Sequence, residues 1–431
     1  MSASQPTLPI HYMRPFPDDK TIIPANLLSL PRPAPVENPS YTSAQEDLQT
    51  VGTRRKPGTT SATGLDHNES ENALDSTTEG ISKPKERQEF NVAIFCALAL
   101  ESDAVISLMD QHWDRREYGK VLYDTNSYTL GAIGVHKVVL VHLPGMGKGV
   151  AASAASSCRV SFPGIRLALV VGICGGVPFG SGNVERILGD VIISDGLVQY
   201  DFGRQFPNQF KRKRTLHDNH SRPASEIRSF LARLSGRGAR LKSLQAARNY
   251  LITLQSAQEA ADAGIYGYPG VEADILYEAS SLHKHLDASS CPDWELTCGS
   301  IGACDLAQIL DCQELSCTGQ LTTRRRLKVP GEHGSQASSE ASSSLIIFDM
   351  HIGTIASGDK VMKSGEERDR VAKEEGIIAF EMEGAGIWDH FPCLIIKGIC
   401  DYSDCHKNKK WQHYAAATAA SYMRAVLDEW D

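Results

Sequence analysis

Apolar and polar positions settle into regular patterns only from Phe90 onward. Residues 91–98, NVAIFCAL, are an unbroken apolar run that reads as a buried strand, and ESDAVISLMD after it has helical spacing. Residues 127–144 predict two strands joined at Gly134. A helix rich in small residues follows over 147–162, then a central strand over 166–177 that ends in a glycine turn, and a further strand over 189–203. From about 205 to 344 the chain is polar, with helical pieces over 225–260, and reads as an insertion. The core pattern resumes at 345–362. It continues through a helix over 366–375, the strand GIIAF, a helix opening with EMEGAG, a strand over 392–404 and a last helix from about 410 to 430. Strands that alternate with helices and are apolar nearly throughout indicate an α/β fold whose sheet is covered on both faces.

Composition sharpens the boundaries. Residues 1–88 carry 11 of the 20 prolines, with much Ser, Thr and charge, and are expected to be a disordered tail ahead of a domain spanning 89–431. A formal net charge of −8 on 431 residues argues against nucleic-acid binding. The most apolar run, 167–179, is too short and too rich in glycine for the roughly 20 residues of a membrane span, and the N-terminus has no signal-peptide pattern. Eleven cysteines without regular spacing, several inside apolar strands, read as reduced thiols of an intracellular, cytoplasmic protein.

The glycine motifs are weak on their own. GMGKG at 145–149 fits neither a P-loop nor a dinucleotide fingerprint. GICGG at 172–176 ends a strand, where backbone approaches a ligand or a helix closely. His283, His285, Cys291, Cys298, Cys304, Cys312 and Cys317 have irregular spacings, so no metal site is expected. The acids are more informative. Glu101, Glu381, Glu383 and Asp401 all fall at or just after strand ends, where open α/β sheets bind ligands. Buried carboxylates are costly unless a ligand or hydrogen bonds satisfy them. Taken singly, Glu101 or Glu381 is explained equally well as an acid at a helix N-terminus.

Seven blocks in order, VAIFCALALESDAV, LPGMGKGVAAS, VVGICGGVP, GDVIISDG, IASGDKVM, FEMEGAG and KGICDYSD, resemble the nucleoside phosphorylase/nucleosidase superfamily. Within it the chain resembles most the phosphorylase-type domains of fungal NACHT-type multidomain proteins. The resemblance covers about 89–204 and 345–430. It implies a three-layer α/β/α fold with a central mixed twisted sheet, and cleavage of the N-glycosidic bond of purine nucleosides or related nucleotides. By the same resemblance Glu383 grips the ribose hydroxyls, with Met382 packed on the sugar and Glu381 nearby. Val361 and Met362 contact the base. Asp401, its pKa raised by burial, protonates the purine, and Glu101 orients the attacking water. Gly172, Ile173, Cys174 and Gly175 supply backbone on the nucleophile side.

Purine phosphorylases of the bacterial type carry Arg where Val170 stands and Ser where Ile173 stands, so the apolar pair favours water over phosphate as nucleophile. Arg204 and the run KRKR at 211–214 are either a phosphate contact folded over the pocket or a solvated basic loop. The resemblance implies no cofactor, with inorganic phosphate as co-substrate only in a phosphorylase, a small-molecule nucleoside partner and a homo-oligomer. The alternatives are phosphorolysis, or a nucleoside-binding sensor with little turnover.

Overall fold

The computed structural model describes residues 81–180, 184–256, 264–300, 302, 304–327 and 348–430. The tail expected over 1–88 lies outside the described residues except for 81–88, as does the Ser-rich end of the insertion.

The apolar runs form the strands β1 (Val92–Cys96), β3 (Ser127–Ile133), β4 (His136–His142), β5 (Leu167–Gly176), β6 (Val191–Gln199), β9 (Met350–Ser357), β10 (Ile377–Glu381) and β11 (Cys393–Asp401). A short β2 (Gln111–Trp113) and a hairpin, β7 (Gly203–Phe206) and β8 (Gln209–Arg212), had no counterpart in the apolar pattern. Nine strands make one mixed sheet in the order β10-β9-β6-β11-β5-β1-β4-β3-β2. β10 also pairs antiparallel with the end of β5, Phe380 opposite Gly175, so β5, β11, β6, β9 and β10 close into a ring.

Helices cover both faces, as continuous burial along β1 and β11 requires. α1 (Ala99–Ile106), α5 (Arg237–Ser256) and α8 (Gln412–Leu427) pack together, with α8 against β5 and β11. A Cβ on Gly398 would stand 2.0 Å from the Ala415 carbonyl oxygen, so glycine there lets α8 settle onto β11. α3 (Lys148–Ser161) packs on α7 (Gly384–Trp388) through Gly386, where a Cβ would meet the Lys148 carbonyl oxygen at 2.1 Å. α6 (Gly365–Glu375) is capped by Ser364, whose hydroxyl accepts from the Glu367 amide, and ends at Gly376 with φ +68°. α2 (Arg115–Tyr118) is one turn.

Part of the polar stretch expected as an insertion packs into the main core. Ile227, Phe230, Leu231 and Leu234 of α4 (Ser225–Leu234) and Leu244, Ala247 and Leu251 of α5 are buried in the main core. Their i, i+3, i+4, i+7 spacing was present among the charges, and it makes these helices part of a covering layer. Residues 264–327 differ. Among those described, the only regular structure is three short 3₁₀ turns and one isolated bridge, Tyr277 with Leu321. Buried Arg324 anchors this segment, with Nε 2.7 Å from Glu185 Oε1 and Nη1 3.2 Å from Asp274 Oδ1. Among the described residues no helix is long and apolar enough to cross a membrane. The eleven cysteines are free thiols in this structure.

Candidate active site

The carboxyl ends of β5, β10 and β11 converge on one cavity of about 220 Å³. Its wall includes Glu101, Ile173, Cys174, Gly175, Val361, Met362, Glu381, Met382, Glu383 and Asp401. Ten positions singled out in the sequence, far apart along the chain, therefore share one surface. Gly172 lies behind this wall: a Cβ there would fall 1.9 Å from Glu101 Oε1, so the glycine makes room for the carboxylate.

Glu101 does not end the first strand. It sits in the first turn of α1, and its Oε2 accepts from the amides of Ala97 and Leu98, both at 2.9 Å. Its Oε1 reaches across to the Ile173 amide at 2.8 Å, tying α1 to β5. The helix-terminus explanation is thus correct as to placement, yet the side chain is buried and faces the cavity.

Glu381 closes β10, and its carboxylate accepts from the amides of Glu383 at 3.0 Å and Gly384 at 2.8 Å. Those bonds cap the start of α7, so its oxygens are engaged by backbone rather than held out to a sugar. Glu383 follows at the N-cap position of α7 and directs its carboxylate to Lys397.

Sequence reasoning missed Lys397. It lies in the middle of β11, 1% exposed, with Nζ 3.2 Å from Glu383 Oε2 and 3.9 Å from Glu101 Oε1. Burial alone would push its ammonium down, but Glu383 and Glu101 outweigh burial and hold it above the ordinary lysine value. Burial pushes the Glu101 carboxyl up, helped by the charge of Glu383 and opposed by Lys397. The available signal was a lone cation inside an otherwise apolar run, CLIIKGIC.

Asp401 ends β11 and is 6% exposed. Ser403 donates its amide to Oδ1 at 2.8 Å, and Lys407 stands 2.9 Å from Oδ2. Burial was the expected feature; the structure adds a cation. Burial would lower the Lys407 ammonium, and Asp401 more than compensates, so it is raised. Glu101 contacts the amide of Ile173, and Asp401 lies against Gly175, two residues farther along β5 and therefore about 6.5 Å on. Burial pushes the thiols of Cys174 and Cys400 up, which argues against either as a nucleophile.

Arg204 is not part of the cavity wall. It is exposed on β7, opposite Lys211 of β8. In the KRKR run, Arg212 and Arg214 pair with Glu375 and Arg214 also with Glu374, acids at the end of α6. The run lies outside the cavity wall and packs on the end of α6, with the Arg212 side chain largely buried in its pair rather than solvated. The cations that do line the cavity are Lys360 and Lys407. The expectation of no metal site rested on spacing alone. In space, the seven His and Cys residues of 283–317 and His406 form two groups of four ligands.

No family model matches the chain. It is 32% identical over 347 residues to a nucleotide-binding leucine-rich repeat (NLR)-like protein of Hyaloscypha variabilis, an alignment covering 79% of this chain and 29% of that protein. Over 85 residues it is 32% identical to the aminodeoxyfutalosine nucleosidase of Helicobacter pylori, 18% of this chain and 37% of the relative. The chain thus spans well under half the length of either. A solved 5'-methylthioadenosine/S-adenosylhomocysteine nucleosidase of Neisseria meningitidis, in complex with methylthio-immucillin-A, is 17% identical with a TM-score of 0.42, covering 79% of this chain and 99% of that one. Over the aligned segments the chain is similar to an NLR-like protein and to a nucleosidase, and its mixed α/β sheet agrees with the fold class expected from the ordered motifs.

Proposed function

We propose that the chain cleaves the N-glycosidic bond of a purine nucleoside or related nucleotide, with water as nucleophile. The observation that carries this reading is one cavity with a cation-paired acid at one side, Asp401 with Lys407, and two carboxylates bridged by a buried lysine at the other. The 85 residues shared with a nucleosidase support it.

A purine would sit against Val361, Met362 and Asp401, with the ribose over Met382 and its hydroxyls on Glu383. The Lys407–Asp401 pair passes a proton to N7 of the base, which then leaves with the electron pair of the C1′–N9 bond. The sugar becomes oxocarbenium-like, and the net negative charge of Glu101, Lys397 and Glu383 favours that cation. The water oxygen bonds to C1′ and Glu101 takes its proton. Burial keeps the proton affinity of Glu101 high enough for this task. Val170 and Ile173 are apolar, and no arginine lines the cavity among the described residues, which favours water over a phosphate dianion.

A sensor reading has its own support. The relative with the longer alignment is an NLR-like protein of which this chain matches 29%, as a recognition module would.

Incubation with adenosine, inosine, methylthioadenosine or ATP, with and without phosphate, separates the readings. Released purine with free ribose is expected. Ribose 1-phosphate would replace hydrolysis by phosphorolysis, and binding without release would favour the sensor. Asp401→Ala should abolish release while circular dichroism stays unchanged; undiminished turnover would remove Asp401 from the mechanism.

A further inference from the structure

The segment 264–327 poses a stability problem. Among the described residues it has almost no regular structure, and its own apolar cluster is small: Cys291, Cys298, Cys304, Ala307 and Leu315, with half-buried Trp294, Leu310 and Cys317 packed against them. A long irregular loop with so small a core needs some further cross-link.

Two groups of ligand atoms stand where cross-links would serve. His283, Cys312, Cys317 and His406 form one, and His285, Cys291, Cys298 and Cys304 the other; within each, all four atoms lie within 4.8 Å of one another. A tetrahedron with sulfur about 2.3 Å and nitrogen about 2.0–2.1 Å from its centre has edges of roughly 3.8 Å between sulfurs and roughly 3.6 Å between sulfur and nitrogen. In the second group Cys291 Sγ and Cys304 Sγ are 3.9 Å apart, and Cys298 Sγ is 3.5 Å from His285 Nδ1. In the first group His283 Nδ1 is 3.7 Å from Cys312 Sγ and 3.4 Å from Cys317 Sγ, and Cys312 Sγ is 3.6 Å from His406 Nδ1.

His283 Nε2 is 2.9 Å from the carbonyl oxygen of Ala307, which can only accept, so Nε2 carries the proton and Nδ1 bears a lone pair. That single lone pair faces two thiols. A cation bound by both sulfurs uses that lone pair as a third ligand, and the Ala307 carbonyl then serves as the outer partner that orients a metal-bound imidazole.

We propose that this chain binds two structural zinc ions, one in a Cys₂His₂ site and one in a Cys₃His site. Both sites have four protein ligands, the closed arrangement of structural zinc. Binding displaces thiol protons, from Cys312 and Cys317 in one site and from Cys291, Cys298 and Cys304 in the other. His406 belongs to the loop after β11 and immediately precedes Lys407, the partner of Asp401. The first ion therefore ties the irregular segment to the loop that carries the cavity's cation.

The test is metal content of the full chain, purified under reducing conditions without a histidine tag and after exhaustive dialysis. Two zinc ions per chain are expected, one in Cys298→Ser and one in Cys317→Ser. Chelation should lower Tm by about 5 °C or more, and added Zn²⁺ should restore it. Co²⁺ in place of zinc should give the visible absorption of a tetrahedral thiolate complex, a readout available even if a variant folds poorly. Substoichiometric metal in the wild-type chain with no rise in Tm on adding Zn²⁺ would overturn the proposal. So would a Cys291–Cys304 disulfide found by peptide mapping.

Discussion

Lys397 Nζ lies 3.2 Å from Glu383 Oε2, in a position 1% exposed to solvent. Glu101 is 3.9 Å away on the same ammonium, so one cation serves two buried carboxylates. Removing it leaves both uncompensated. Lys397→Met should destabilise the protein by about 3–5 kcal/mol at neutral pH, as loss of one member of a buried ion pair does. Urea denaturation measures this. The double variant Lys397→Met/Glu383→Gln should recover part of the loss, and a single variant as stable as wild type would show the ammonium to be dispensable.

Glu383 is the residue proposed to hold the ribose hydroxyls. Glu383→Gln keeps the shape and loses the charge. Hydrogen bonds to charged groups contribute about 1.5–3 kcal/mol, so kcat/KM for a ribonucleoside should fall about 10- to 100-fold. The corresponding 2′-deoxynucleoside, with one hydroxyl fewer to lose, should fall less. Equal losses for both sugars would place Glu383 away from the 2′-hydroxyl.

Glu101 supplies the pH dependence. Burial, with Glu383 adding to it and Lys397 opposing, raises its pKa above the ordinary 4.5. As a base it must be ionised, so kcat/KM should climb with pH through a value above 4.5, and Glu101→Gln should be slow and lack that limb. The same shift means that the folded state binds this proton more tightly than the unfolded chain. Its contribution to stability is accordingly greatest in acid and declines as pH rises from 4.5 through the folded value. A wild-type rate profile flat from pH 4 to 8 would count against Glu101 as the base.

Gly172→Ala tests the placement of that carboxylate. The added Cβ would fall 1.9 Å from Glu101 Oε1, so the side chain must move. A displacement near 1 Å at a catalytic group costs about 100-fold in rate. The expected signature is a fall in kcat together with a shifted acid limb; an unaltered pH profile would mean that Glu101 keeps its position.

Much of this was legible from residue order. Glu101 in the first turn of α1, Glu383 at the start of α7 and Asp401 at the end of β11 line one cavity, each just beyond or at the end of a separate apolar run. Arg204 did not belong with them, because it lies exposed on a hairpin whose other strand leads through Arg212 to Arg214, both paired with acids of α6 that local sequence does not connect to them. The metal-ligand candidates were unreadable for a related reason. His283 and His285 serve different groups, and the fourth member of the first group, His406, comes from beyond α6, β10 and β11. Interleaved sites leave no spacing motif.

By itself the sequence determined the alternation of strands and helices, the covered sheet and the acids at its rim. These follow from periodicities of apolar side chains that each segment carries locally. Tertiary structure alone decided that β10 returns to pair with β5, that Lys397 rather than solvent answers Glu383 and Glu101, and that Lys407 reaches Asp401. Charge compensation in a buried site depends on distances of a few ångströms between segments remote in the chain. Packing and strand register set those distances, and no local pattern encodes them.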